Sequence, residues 1–500
     1  MTATEIDTTY GPVRGSTTAG TSVFRGIPFA ASTAGANRFA PPRPPAPWTD
    51  VRDATIAGPT APQNPSMLEQ MLGAEDAVVG EDCLSLNVFA PEGATDLPVM
   101  VWIHGGGFLT GTGSIPWYDG TNLARRGAVV VTINYRLGVL GFLHLGDIDP
   151  AFEGSGNLGI LDQVAALEWV RDNVAAFGGD PSRVTIFGES AGAMSVGTLL
   201  AVPAAEGLFH RAILQSGAAE HVLSRDAATG YARKFLAELG VDPTDLSVLR
   251  DLPLAQILEA QGRFTATVPF AEGLPFEPVV DGGVLPGEPG ARVAAGCAPT
   301  VDLLVGTNTD EMTLFLLMEP ELGAFDEAAL TLRSDELFVP LGRAAGEGVA
   351  VYRGARPDAT IHDVVVAVLT DHTFRIPAIH LAESQADHPG RVWMYEFGFK
   401  SPAFGGVLGA SHALEIPFVW DNLDAQGAAM FAGPPTDATR SLATRLADAW
   451  VAFAADGVPA ADGLPEWPAY DTDRRATLQV DAERAEVVDD PRGAERRLWG

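Results

Sequence analysis

One serine in this chain sits between two glycines where an apolar run gives way to a helix-like pattern: Arg183 to Ala201 reads RVTIFGESAGAMSVGTLLA. Val184, Ile186 and Phe187 read as a short buried strand, and the small and apolar residues from Ala191 to Ala201 read as a packed helix. Ser190 therefore occupies a strand-to-helix elbow. Such a turn forces unusual backbone angles on its central residue, and small neighbours at Gly188 and Gly192 let strand and helix approach closely enough to make it. The hydroxyl is pushed outward, and the first amides of the helix point at whatever it attacks. A Gly-x-Ser-x-Gly run also arises by chance in a chain with 55 glycines, so the decision falls to its partners.

A nucleophilic serine needs a base to take its proton and a carboxylate to orient and stabilise that base, in the chain order nucleophile, acid, histidine when the elbow sits on a parallel sheet. Just beyond the strand-like VDLLVG, the segment TNTDEMTLF offers Asp310 and Glu311, between which the residue types do not choose. After the strand-like RVWMYEFGF come a glycine-rich loop and GASHALEIPFVW, which offers His412. The other histidines after the serine fit less well. His210 and His221 precede both acids, His362, His372 and His380 lie in helix-like sequence, and His388 lies in a turn before a strand. A tetrahedral intermediate also needs preorganised donors for its oxyanion. HGGGF follows the strand-like LPVMVWI, and Gly105, Gly106 and Gly107 carry no side chains to block their backbone amides. The same loop lacks the Lys-Ser/Thr or Gly-x-Gly-x-x-Gly context of a phosphate cradle.

The elements that must hold these groups alternate in kind. LPVMVWI and AVVVTINY read as buried strands, NLGILDQVAALEWVRDNVAAF has apolar residues at helical spacing, and RVTIF is again a strand. The region around Asp226 to Gln261 reads as largely helical. Alternation of this kind predicts an α/β fold with a mostly parallel sheet and helices on both faces, its chemistry gathered at the carboxyl ends of the strands. With 500 residues, 46% of them hydrophobic, the chain can bury a large core. No repeat or low-complexity linker divides it, and the proline-rich APPRPPAPW reads as a surface crossing, so residues 1–500 are expected to form one catalytic domain. Sixty-four acidic residues against 32 basic ones give a net charge of −32, which opposes nucleic acid and anionic membranes as partners. No run reaches bilayer-spanning length, and the N-terminal MTATEIDTTYG is neither basic nor apolar. Cys83 and Cys297 lie far apart with no metal-ligand spacing, so no metal is expected and a reduced, cytoplasmic setting is the simplest expectation.

These blocks together resemble a type-B carboxylesterase, the cholinesterase-like branch of the α/β-hydrolases. The resemblance runs nearly end to end through VFRGIPFA, RFAPPRPPAPW, EDCLSLNVFAP, HGGGF, NLGILDQVAALEWVRDNVAAFGGDPSRVTIFGESAGA, RAILQSGA, GTNTDEMTLF, SHALEIPFVW and EWPAYD. It implies an α/β-hydrolase fold with long insertions, hydrolysis of a small-molecule ester and no cofactor; a monomer is compatible with it. Carried over by position, Ser190 matches the nucleophile, Glu311 the acid and His412 the base, while Gly106, Gly107 and Ala191 match the oxyanion amides. The resemblance, not the spacing, prefers Glu311 to Asp310. Three departures stand out. Secreted members bridge the cysteine of the EDCL block to an upstream one, and here Ala61 stands at that place, which leaves Cys83 an unpaired thiol. Met312 and Ala413 stand where the family often has glycine.

Substrate preference is the least constrained reading. The wall of the pocket is expected to include Phe108, Met194, Phe270 and Phe315. Choline-selective relatives hold the quaternary ammonium against a ring in the loop before the EDCL block. Here Gly58 to Gly80 contains no Phe, Tyr or Trp, and Met67, Leu68, Met71 and Leu72 offer an apolar entrance instead. Neutral esters are expected to be preferred over choline esters, with activity falling on the acid side at an apparent pKa of about 6 to 7 as His412 protonates. A carbamate or amide hydrolase or an acyltransferase would use the same residues, whereas a binding homologue would keep the fold and lose them.

Overall fold

The computed structural model describes residues 2–71, 73, 78–268, 273–318 and 326–500. Its centre is a 13-stranded sheet. From one edge to the other the strands run Thr2–Thr8, Gly11–Thr18, Thr21–Pro28, Ser85–Pro91, Val129–Ile133, Leu97–Ile103, Gly179–Glu189, Arg211–Gln215, Asp302–Asn308, Val392–Phe397, Ala476–Val480 and Ala485–Asp489, with Arg52–Asp53 paired beside the second. All pairings from Val129–Ile133 to Ala476–Val480 are parallel, and those outside are antiparallel apart from the short Arg52–Asp53 pairing.

Parallel strands are covered on both faces, and the side-chain period of two divides them between two cores. Val99, Val101 and Ile103 face one cluster while Met100 and Trp102 face the other. Val184 and Ile186 oppose Phe187 in the same way, and Leu303 and Val305 oppose Leu304. One face carries the helices Leu158–Asn173 and Ala191–Leu199. The other carries Asp437–Asp456, capped by the Thr436 hydroxyl and ended by Gly457 at φ 70°. The region from residue 225 to 265 is mainly two helices, Arg225–Leu239 and Leu254–Thr265. Beneath the loop after Val129–Ile133, the buried guanidinium of Arg136 grips both carboxylate oxygens of Asp162 at 2.7 Å, tying that loop to the helix Leu158–Asn173. Cys83, fully buried, and Cys297 are both free thiols.

Candidate active site

The strand Gly179–Glu189 ends one residue before Ser190, and the helix Ala191–Leu199 starts one residue after it. Ser190 holds φ 54° and ψ −128°, a conformation L-residues adopt only when their surroundings impose it. The flanking glycines permit the contact that imposes it. A Cβ on Gly192 would lie 2.0 Å from the Ile103 carbonyl oxygen, and one on Gly188 would lie 2.5 Å from the Gly192 carbonyl carbon. From behind, Ser190 N–H donates to the Gln215 carbonyl at 2.9 Å, and Gly217 packs so close that a Cβ there would sit 2.6 Å from the Ser190 carbonyl oxygen.

The glycine loop that follows Leu97–Ile103 passes directly over this elbow. A Cβ on Gly105 would be 3.1 Å from the Ser190 Cβ. Gly106 at φ 104° and Gly107 at φ 61° turn the loop back on itself, and Leu109 and Thr110 both donate backbone N–H groups to the Gly106 carbonyl at 3.1 and 3.0 Å. The Ala191 amide opens the neighbouring helix, so the three amides expected to meet an oxyanion belong to two segments packed against the same serine.

The acid and the base come from two loops zipped together. His412 Nδ1 lies 2.8 Å from Glu311 Oε2, and Glu311 Oε1 accepts the Asn308 N–H at 2.7 Å. Asp310 does something else. Its Oδ2 accepts the Ala410 N–H at 2.9 Å and its own N–H donates back to the Ala410 carbonyl at 3.0 Å, so it fastens the histidine loop rather than the imidazole. Ala413, the next residue, holds φ 66° where glycine would be relaxed, and Met312 is buried at the start of the helix Met312–Met318. The rings of Phe374 and Phe315 stand 4.8 and 5.0 Å from the imidazole, forming an apolar wall beside it.

Two carboxyls that the sequence reading passed over surround the histidine. Glu189 Oε1 is 3.1 Å from His412 Nε2, and neither atom has a hydrogen-bond partner among the described residues. Glu415 is fully buried, receiving Gln215 Nε2 at 3.0 Å and Asn308 Nδ2 at 2.6 Å, while Trp450 Nε1 donates to Gln215 Oε1 from the opposite helix. Burial disfavours charge on His412, but Glu189, Glu311 and Glu415 outweigh it and raise the imidazole's pKa to about 9. An imidazole in ordinary surroundings titrates at about 6 to 7, so the surrounding carboxylates move His412 upward from that range. Burial also raises Glu189 well above the usual carboxylate range, with Glu415 and Glu311 adding to the effect. In the sequence each is a single acidic residue beside apolar ones, Glu189 ending the strand before the serine and Glu415 inside LEIPF after the histidine.

Of the expected wall residues, Phe315 lies at the site. Phe108 is fully buried, edge-on against Phe142 at 5.0 Å, with a φ of 59°. Met194 is buried in the core on the helix Ala191–Leu199. Phe270 and Leu72 lie outside the described residues, as do the side chains of Met67 and Leu68, while Met71 packs at the edge of the core that holds Trp102. Among the described residues no group of His, Cys, Asp and Glu is arranged to hold a metal ion.

Residues 2–499 match the model of the carboxylesterase family. The chain is 41% identical over 502 residues to a para-nitrobenzyl esterase of Bacillus subtilis, covering 99% of this chain and 98% of that one. It is 37% identical over 497 residues to a phenmedipham hydrolase of Pseudarthrobacter oxydans, covering 97% and 96%. Its structure is similar to that of a Geobacillus stearothermophilus carboxylesterase at pH 6.2, with a TM-score of 0.89, 40% identity and coverage of 99% and 100%.

Proposed function

Since this chain belongs to the carboxylesterase family and hydrolyses carboxylic esters, we propose that it does so through an acyl-enzyme on Ser190, with His412 as base and Glu311 as its orienting acid. The observation that carries this assignment is the convergence of the elbow, the glycine loop and the Glu311–His412 pair beyond the carboxyl ends of four parallel strands. Ser190 Oγ attacks the ester carbonyl carbon while its proton passes to His412 Nε2. The carbonyl oxygen becomes an oxyanion that the amides of Gly106, Gly107 and Ala191 receive. As the tetrahedral intermediate collapses, the ester C–O bond breaks and the imidazolium gives its proton to the leaving alkoxide. Water then repeats the sequence on the acyl-enzyme, releasing the acid and restoring the serine. Glu311, accepting from Nδ1, keeps the imidazole in the tautomer whose Nε2 is free to take a proton, and its second oxygen is held by the Asn308 amide so that it cannot swing away.

Neutral, apolar esters are the substrate class we assign. Phe315 and Phe374 offer apolar surface beside His412, and the segment from Gly58 to Gly80 brings no aromatic ring for a quaternary ammonium. Ser190→Ala tests the mechanism. It should leave the fold intact and lower ester turnover by about four to six orders of magnitude, whereas near-normal turnover would refute the assignment.

A further inference from the structure

Helix Met67–Met71 places one carboxyl, Glu69, against the glycine loop. Glu69 is 9% exposed, and among the described residues no cation pairs with it. Its partner is the hydroxyl of Thr110, whose Oγ1 lies 3.4 Å from Glu69 Oε1 and 3.3 Å from the Gly106 carbonyl oxygen. A threonine hydroxyl has one hydrogen to donate, so it can serve only one of these acceptors at a time. Two long contacts of similar length fit one hydrogen divided between them.

The second acceptor matters because of where it sits. The Gly106 carbonyl is the far end of the peptide group whose N–H belongs to Gly107. A hydrogen bond received at a peptide oxygen polarises the amide and strengthens its N–H as a donor. We infer that Glu69 is a positioning residue of the oxyanion loop, its proton deciding through Thr110 whether the carbonyl end of the Gly106–Gly107 peptide receives a third hydrogen bond beside its two backbone donors. When Glu69 carries its proton, it donates to Thr110 Oγ1, and the Thr110 hydrogen goes to Gly106. When Glu69 is a carboxylate, it claims the Thr110 hydrogen itself, and the Gly106 oxygen keeps only its two backbone donors.

Burial raises the Glu69 pKa to about 7, so the two states exchange in the working range of an esterase. Tyr118, Tyr135 and Glu189 are the titratable groups that feel its charge, and Thr110 faces it from the glycine loop. The inference rests on the reading that Gly107 N–H meets the oxyanion. It adds a control on that donor from outside the three catalytic side chains.

The test compares kcat for a neutral aryl butyrate in wild type and Glu69→Gln from pH 6 to pH 9.5. Glutamine donates to Thr110 at every pH, so the variant should match wild type at pH 6 and exceed it by about three- to tenfold at pH 9.5, with KM little changed. Glu69 also reaches His412 through Glu189, whose titration feels the Glu69 charge, and a Thr110 background separates that route from the relay. An effect routed through Glu189 would persist in a Thr110→Val background, whereas the relay predicts that the pH-dependent ratio vanishes there and returns with Thr110→Ser. Glu69→Leu, which cannot donate, should fall below Glu69→Gln at pH 6 by a similar factor, and this comparison stands even if Thr110→Val does not fold. A flat wild-type to Glu69→Gln ratio, equal activity of the Gln and Leu variants, or a ratio that survives Thr110→Val would overturn the relay while leaving the Ser190 mechanism intact. Retained turnover in Ser190→Ala would instead remove the reading beneath it.

Discussion

Replacing Glu189 by glutamine isolates the charge that most strongly supports a protonated His412. The two side chains approach to 3.1 Å, where unit charges at an effective dielectric of about 20 attract by about 5 kcal/mol, equivalent to about 4 pH units. That figure is an upper bound for the shift. Burial opposes the imidazolium, Glu311 and Glu415 share in supporting it, and Glu189 is itself held partly protonated, so its own share comes to about 1 to 2 pH units. The sign follows from the chemistry. His412 must be neutral to accept the serine proton, and a raised pKa means that neutrality is lost earlier as pH falls. Glu189→Gln should therefore move the acid limb of kcat/KM for an aryl butyrate to lower pH by about 1 to 2 units, measured between pH 5 and pH 10. A limb that stays in place, or moves up, would refute the claim that Glu189 sets the basicity of the catalytic histidine.

Other substitutions separate neighbouring residues by role. Glu311→Gln should cut kcat by about three to four orders of magnitude, since the imidazole loses its orienting charge, whereas Asp310→Asn should cost about tenfold or less because an amide oxygen can still accept the Ala410 N–H. Ala413→Gly should raise stability in urea denaturation by about 1 kcal/mol, as glycine tolerates φ 66° without the Cβ penalty. An aryl butyrate should give a higher kcat/KM than butyrylcholine at equal ionic strength, and a clear preference for the choline ester would overturn the neutral-substrate assignment.

The sheet was legible in the sequence because its central strands are buried on both faces and read as unbroken apolar runs: LPVMVWI is the strand Leu97–Ile103, and RVTIF lies within Gly179–Glu189. The antiparallel edge of Thr2–Thr8, Gly11–Thr18 and Thr21–Pro28 was not, since TATEIDT is largely polar and its pairing depends on turns rather than on burial. The positions of Ser190, His412 and the acidic segment at Asp310 and Glu311 could be read because each follows a recognisable strand, while the choice of Glu311 came from the family resemblance. Residues that act across the fold were harder to see. Glu189 and Glu415 converge on the histidine from different segments, and Gln215, ending a strand 200 residues before Glu415, joins Glu415 to Trp450. Spacing along the chain carries no trace of such a meeting.

The central claim is a covalent acyl-enzyme on Ser190, and a fluorophosphonate followed by peptide mass spectrometry tests it most directly. The reagent should add one equivalent to the peptide containing Gly188 to Gly192, with the mass on Ser190, in step with loss of esterase activity and not at all in Ser190→Ala. Stoichiometric inactivation with the label on any other residue, or unchanged labelling of Ser190→Ala, would contradict it.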